Sequence, residues 1–282
     1  MTLSFKVQLL YGLLEQGQRH TVAELRDPSG YDEAMLAELG RDTTPVECVS
    51  ALLAALTLRI GEIEAPAAGR LLDLTAGDRE RLVLALCARL LGPEIDLVAA
   101  CPSCGALAEI PVCFAEVAAA RPAASASMES CFALQAGGAN WGARLRLPTG
   151  ADLERAARGG PGAARDLILC CIEELTGPPG ICVAPVELPA ACESSVAEAL
   201  LSLDPIAEWR FAGNCPSCAE PIDMLLDGYT ILQSGLGSGN RVYRDVFRMA
   251  RNYHWSEAEI LALPLRRRRR YLAIAEVAEA PP

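Results

Sequence analysis

The side chains best suited to chemistry in this sequence are four cysteines. Cys101 and Cys104 stand in one CPSC unit, and Cys215 and Cys218 in a second, identical one. A C-x-x-C turn brings two thiolates to one side of a metal ion, and two such turns complete the tetrahedral ligand set of a structural zinc site. The pattern predicts one Zn2+ held by Cys101, Cys104, Cys215 and Cys218. A closed set of four cysteines leaves no coordination position for water, so the metal is expected to hold structure and to do no catalysis. Redox chemistry of the thioredoxin kind needs C-x-x-C at a helix N-terminus, whereas strand-like sequence flanks both copies here.

The elements around the two units repeat. At an offset of 114 residues, GPEIDLVAACPSCGALAEIPV aligns with DPIAEWRFAGNCPSCAEPIDMLL, and Glu94 matches Glu208. Each copy reads as helix, strand, CPSC turn, strand. The usual ribbon separates its pairs by about fifteen to twenty residues. Here 110 intervene, a span that loop-closure entropy tolerates because its cost grows only logarithmically with length. The expected fold is α+β: a zinc ribbon formed by two distant β-CPSC-β knuckles, surrounded by helices, with a protruding C-terminal helix pair.

Local signals fill in the rest. Thr44-Pro-Val-Glu is a capping box ahead of a helix stopped by Gly61, and residues from about Gly77 to Leu91 form a mostly buried helix closed by Gly92-Pro93. CFALQAGGANWGARLRL reads as a hairpin turning at Gly137-Gly138, after a low-complexity loop over residues 120–128. A helical region follows from about Ala151 to Leu175, broken at Gly159-Gly160-Pro161. The organisation predicted is a mainly helical region over 1–69, a zinc-ribbon domain over 70–240 with an insertion at 105–214, and a helical docking module over 241–282.

Composition narrows the functions open to the chain. With 282 residues, 51% of them hydrophobic, it can bury a core without disulfides. No apolar run is long enough to span a membrane, and MTLSFKVQLL lacks the parts of a signal peptide, so a cytoplasmic origin is expected. Most of the other eight cysteines sit in apolar helical patterns and read as core. A net charge of −11 argues against a general nucleic-acid binder. Residues 241–271 nevertheless carry nine arginines against Asp245, Glu257 and Glu259, leaving −17 for the remainder. SGLGSGN at 234–240 fails the dinucleotide and P-loop fingerprints and reads as a linker. His20 and His254 have no motif around them and read as surface or packing residues. No catalytic residue and no small-molecule substrate is predicted.

The C-terminal segment YHWSEAEILALPLRRRRRYL holds a second capping box, Ser256 with Glu259, and a hydrophobic staple of Trp255 with Ile260. A proline break at Pro264 precedes an arginine-rich helix, and the arginines read as a solvated face or a contact with an acidic subunit. The segment resembles the C-terminal module of baseplate proteins from phage tails and extracellular contractile injection systems. LTAGDRERLVLALCARLLGPEIDLVAACPSCG, LRLPTGADLERAA and AEWRFAGNCPSC resemble the T-even-type baseplate hub family in versions with paired CPxC motifs. That resemblance covers residues 20–275 loosely and is specific at the knuckles and at Tyr253 to Pro264.

It implies a structural component of the central baseplate that links hub, tube or spike subunits, made in the cytoplasm and then carried in a phage tail or an extracellular contractile particle. It leaves open a tail assembly chaperone absent from the finished particle. A zinc-ribbon adaptor in nucleic-acid processes is a further alternative, disfavoured because the strand-like segments beside the knuckles carry a single basic residue, Arg210. The residues expected to meet a partner are Tyr253, Trp255, Ile260, Leu261, Arg266, Arg267, Arg268, Arg269 and Arg270. Removal of 241–282 is expected to leave a folded zinc protein.

Overall fold

A computed structural model describes residues 4–39, 42–119, 129–136, 138–178, 180–236 and 240–279. The chain opens with a long hairpin, β1 (Ser4–Glu15) and β2 (Gln18–Arg26), whose two-residue turn places Gln16 and Gly17 at positive φ. Two helices follow, α1 (Gly30–Glu38) and α2 (Pro45–Leu56), the second capped by Thr44 and Glu47 as its sequence predicts. The chain then turns back through β3 (Thr57–Ile60) and β4 (Ile63–Glu64) to complete an antiparallel sheet in the order β1-β2-β3-β4. Residues 1–69 are therefore not mainly helical. The α2 helix ends at Leu56, and TLRI pairs with β2 in the place of a last helical turn; Gly61, at φ 58, turns β3 into β4.

A short turn, α3 (Ala68–Leu71), leads to the central helix α4 (Ala76–Leu91), capped by Thr75 and ended by Gly92 at φ 124. Leu82, Val83, Leu84, Leu86, Cys87 and Leu90 are all buried, so this helix has core on most of its circumference. Its first turn fixes the N-terminal hairpin. The Asp78 carboxylate accepts backbone N–H groups of Leu10, Tyr11 and Gly12 at 2.6, 2.9 and 2.6 Å, where β1 slips register between Gln8 and Leu13. Gly12 has φ 61 there, and a Cβ on it would stand 2.0 Å from the His20 carbonyl oxygen.

Beyond α4 the first repeat forms a hairpin of β5 (Glu94–Ala100) and β6 (Leu107–Cys113), followed by α5 (Phe114–Ala118). An inserted unit comes next: β7 (Glu129–Ala136), β8 (Ala139–Arg146), α6 (Gly150–Ala157), α7 (Ala163–Cys170), β9 (Ile172–Gly177), β10 (Ile181–Val183) and α8 (Glu193–Leu203). Its antiparallel sheet runs β10-β9-β8-β7 and closes its own small core around Leu145, Leu175, Leu188 and Val196. The predicted helix over 151–175 breaks at the glycines, as expected, but Ile172 to Gly177 belong to a strand paired with β8. The expected loop over 120–128 and Gly137 lie outside the described residues.

The second repeat gives β11 (Trp209–Asn214) and β12 (Pro221–Leu226), followed by α9 (Gly228–Leu236). The first part of the expected linker at 234–240 thus completes a helix, while residues 237–239 lie outside the described residues. Three helices end the chain: α10 (Arg241–Tyr253), α11 (Glu257–Leu261) and α12 (Leu265–Glu279). They do not protrude. Ala34 of α1 packs with Val242 and Leu261, Leu265 joins the main core, and Gly30 N–H donates to the Leu263 carbonyl. No helix among the described residues is long and apolar enough to cross a membrane.

Candidate metal centre

Both CPSC units sit at the tips of their hairpins, in the same local conformation. Cys101 N–H donates to Ala106 and Gly105 N–H to Cys101; in the second copy Cys215 N–H donates to Glu220 and Ala219 N–H to Cys215, at 2.8 and 2.9 Å in each pair. The equivalent residues Gly105 and Ala219 both have positive φ, 72 and 63. Local sequence thus builds two matching tips.

The two hairpins face each other through Cys101, Ala108, Cys215 and Ile222, which brings the four sulfurs within 4.8 Å of one another. Sulfurs pair crosswise: Cys101 Sγ lies 3.7 Å from Cys218 Sγ and Cys104 Sγ 3.7 Å from Cys215 Sγ. Tetrahedral Zn–S bonds of about 2.3 Å place sulfurs about 3.8 Å apart. A disulfide would need about 2.0 Å, and all twelve cysteines are free. The four could hold a metal ion. Cys101 and Cys215 are buried while Cys104 and Cys218 are exposed, so the centre lies at the surface end of the hairpin pair.

The electrostatics favour a cation at this point. Backbone N–H groups of Cys218 and Ser217 aim at the Cys215 sulfur and lower its pKa to about 6. Cys218, although the Glu220 N–H also favours its thiolate, is pushed up to about 12 by the neighbouring Cys104, Cys215 and Cys101 sulfurs. Four thiols this close cannot all ionise without a positive charge among them, and a divalent metal supplies it. The donor set fits a soft, tetrahedral ion.

Two neighbouring residues of α4 hold the bases of the hairpins, far along the strands from the sulfurs. Glu80 Oε1 accepts from Trp209 Nε1 at the start of β11 and from Gly228 N–H after the end of β12, both at 2.8 Å. Arg81 Nη1 donates to the Ala118 carbonyl at 2.8 Å, below β6. Neither residue stood out in the sequence. The insertion also leaves from these bases, after β6 and before β11; each tip is closed by a short loop. The predicted bounds of 105–214 placed it at the tips, and they fail because Leu107 to Cys113 and Trp209 to Asn214 are paired hairpin strands.

The residues expected to meet a partner divide. Ile260 and Leu261 are buried inside the chain, so they are packing residues. Arg268 is 0% exposed; its Nη2 donates to both Glu33 oxygens at 2.6 Å and its Nε to Asp245 at 3.2 Å. It ties α1, α10 and α12 together and faces no solvent. Five consecutive helical residues spread around the helix at about 100° each, which is why one arginine points inward while Arg266, Arg267 and Arg270 are exposed and Arg269 is half-buried. Tyr253 stacks on Trp255 at 5.2 Å, and Tyr271 meets both edge-on.

The histidines take the surface and packing places expected of them, His254 exposed and His20 inside. His20 is buried and its Nδ1 accepts from Glu62 N–H, while His254 ends α10 in a left-handed conformation. Of the eight other cysteines, Cys48, Cys87, Cys171 and Cys192 are buried, and Cys131 and Cys182 are exposed.

No family model matches this chain, and neither a curated protein nor a solved structure does.

Proposed function

We propose that this chain is a structural baseplate component of a phage tail-like contractile injection system, in which one Zn2+ on Cys101, Cys104, Cys215 and Cys218 locks two hairpins together. The observation that carries the zinc reading is the set of four sulfurs from two hairpin tips at near-tetrahedral spacing. A closed sulfur site stabilises and does no chemistry, which fits a part of an assembly and not an enzyme. The baseplate reading is supported by the resemblance at the knuckles and at Tyr253 to Pro264. On it, the exposed arginines Arg266, Arg267 and Arg270 and the Tyr253–Trp255 pair face hub, tube or spike subunits. The chain is made in the cytoplasm and then carried in the particle.

The test is quantitative mass spectrometry of purified, assembled particles from cells that express the chain. A fixed copy number relative to the spike protein is the expected result. Presence in assembly intermediates with absence from finished particles would make it an assembly chaperone, and absence from both would overturn the reading.

A further inference from the structure

The helices α1, α10 and α11 enclose a groove of about 400 Å³ whose chemistry is the opposite of the arginine run. Part of its lining is apolar: Ala34 and Leu261 are buried there, and Met35 and Leu39 are partly buried beside them. Glu38, Glu257 and Tyr31 line it as exposed residues, and Tyr243 as a half-buried one. The Tyr243 hydroxyl donates to Glu38 Oε1. That hydrogen bond first, then desolvation and the Glu38 and Glu257 charges, raise the Tyr243 pKa, so both carboxylates act on one phenol. Among the described residues neither carboxylate has a cationic partner; the neutral phenol is what meets Glu38. Glu257 opens α11, where a carboxylate suits the positive helix end. Glu38 closes α1, whose last turn holds no basic residue, and there the helix end opposes its charge. Two acidic groups on one groove, one of them set against its own helix, form a charge arrangement that lacks a cation.

We infer that the groove between α1, α10 and α11 docks a basic segment of a partner protein, with an arginine or lysine head between Glu38 and Glu257 and its aliphatic stem along Met35 and Leu39. Long cationic side chains lay their stems on apolar surface and keep the charge at the tip, and the groove offers both surfaces side by side. A guanidinium has donors enough for two carboxylates at once. Tyr31, 49% exposed, gives the groove an aromatic wall for that cation, and its hydroxyl donates to the Ala258 carbonyl at 3.2 Å, which ties the ring across from α1 to α11. Met35 supplies a side chain that adapts to what lies against it. Two exposed carboxylates beside an apolar wall make a poor cage for a hard metal ion, which takes about six to eight oxygen ligands. A polyamine would bring further charges onto the apolar lining. The net charge of −11 attracts a basic segment from a distance. The inference goes beyond the baseplate reading and does not depend on it, because it names a second surface whose partner is opposite in charge to the one that the exposed arginines would meet.

The test uses the full chain prepared with zinc and a fluorescein-labelled peptide of repeating Gly-Arg-Leu, followed by fluorescence anisotropy. The matched Gly-Gln-Leu peptide and spermidine serve as competitors. The arginine peptide is expected to bind with an affinity that falls with salt, and the glutamine peptide to bind at least about tenfold more weakly. Glu38→Gln combined with Glu257→Gln removes both charges and keeps an acceptor for Tyr243; it should weaken binding by at least about tenfold, and Tyr31→Ala by several-fold. Glu94→Gln combined with Glu109→Gln, at exposed positions of the β5–β6 hairpin, removes the same net charge and should change affinity by less than about twofold. Equal binding of the two peptides, equal loss in the two double variants, or displacement by spermidine at lower concentration than by the unlabelled arginine peptide would each overturn the inference. A chain that is present in particles but fails these assays sinks only the groove. One that passes them yet is absent from particles and intermediates sinks only the baseplate reading.

Discussion

Cys218→Ser is the sharpest perturbation of the metal centre, because Cys218 is exposed and its loss removes one ligand without opening the core. Two routes give the size of the effect. Crosswise sulfur pairs join positions 117 and 111 residues apart, and a cross-link closing a loop of about 100 residues restricts the unfolded chain by about 4.7 kcal/mol. Independently, a ligand that binds only the folded state adds about 4.1 kcal/mol when its free concentration is about a thousand times its Kd. Little else joins the tips: among the described residues Ala108 and Ile222 are the buried apolar side chains between them besides the cysteines, with Ala106, Phe211 and Met224 partly buried against them. We expect wild-type protein to carry one zinc per chain and Cys218→Ser to carry none. Urea unfolding followed by tryptophan fluorescence, with Trp209 at the base of β11 as reporter, should show about 4 kcal/mol less stability for the variant. A chelator should bring the wild type to the same level and leave the variant unmoved. Identical urea midpoints for both proteins, with and without chelator, would refute the reasoning, as would four sulfurs that remain open to alkylation in excess zinc.

Three further outcomes test the supports of the fold. Arg268→Met should lower stability by about 3–5 kcal/mol, because it strands the Glu33 and Asp245 carboxylates without their buried partner; an unfolding free energy within about 1 kcal/mol of wild type would disprove that role. Glu80, whose carboxyl is enclosed by Trp209 and the start of α9, has its pKa raised to about 7, first by desolvation. A carboxyl that holds its proton more tightly when folded loses stability as pH rises from about 4.5, its unfolded value, to about 7, and levels off above; Glu80→Gln should flatten that window, which matched urea titrations across it would detect. Ala219→Gly should stabilise by a few tenths to about 1 kcal/mol, since Ala219 has φ 63 where its counterpart is Gly105; a lower thermal midpoint for the variant would contradict the strain argument.

The convergence of the four cysteines was legible because its information is local and duplicated: each CPSC turn specifies its own tip, and the surrounding repeat supplies the partner. The helices after Thr44 and Ser256 were legible through their capping boxes, and the one ending at Leu91 through its apolar run and Gly92-Pro93. The N-terminal sheet was harder to read. β1 is apolar at nearly every position from Leu9 to Leu14, which hides its alternation, and its turn is Gln-Gly in place of the more telling Asn-Gly. β9 carries Glu173 and Glu174 in a stretch that continues a helical pattern, and only pairing with β8 makes it a strand. Charged residues in the middle of apolar elements were the least legible of all. Asp78, Glu80, Arg81 and Arg268 look like a solvated helix face in one dimension, and each is instead satisfied by a partner far along the chain.

Those long-range partners explain how two hairpins separated by the 95 residues 114–208 still meet at their tips. The four clustered cysteines lie at the free ends of the hairpins, and the inserted unit leaves and returns at the opposite ends, after Cys113 and before Trp209. There α4 receives both: Arg81 bonds the chain leaving β6, Glu80 bonds the start of β11, and Gly77 N–H donates to Asp204 on the returning segment at 3.0 Å. Because α4 sets the bases, the tips meet without help from the insertion, whose own core around Leu145 and Val196 is closed separately. A metal ion held by the four sulfurs would then fix the relative orientation of two hairpins that share only a small apolar contact. Changes within the inserted sheet should therefore leave zinc affinity untouched, while changes at Glu80 or Arg81 should lower it from a distance.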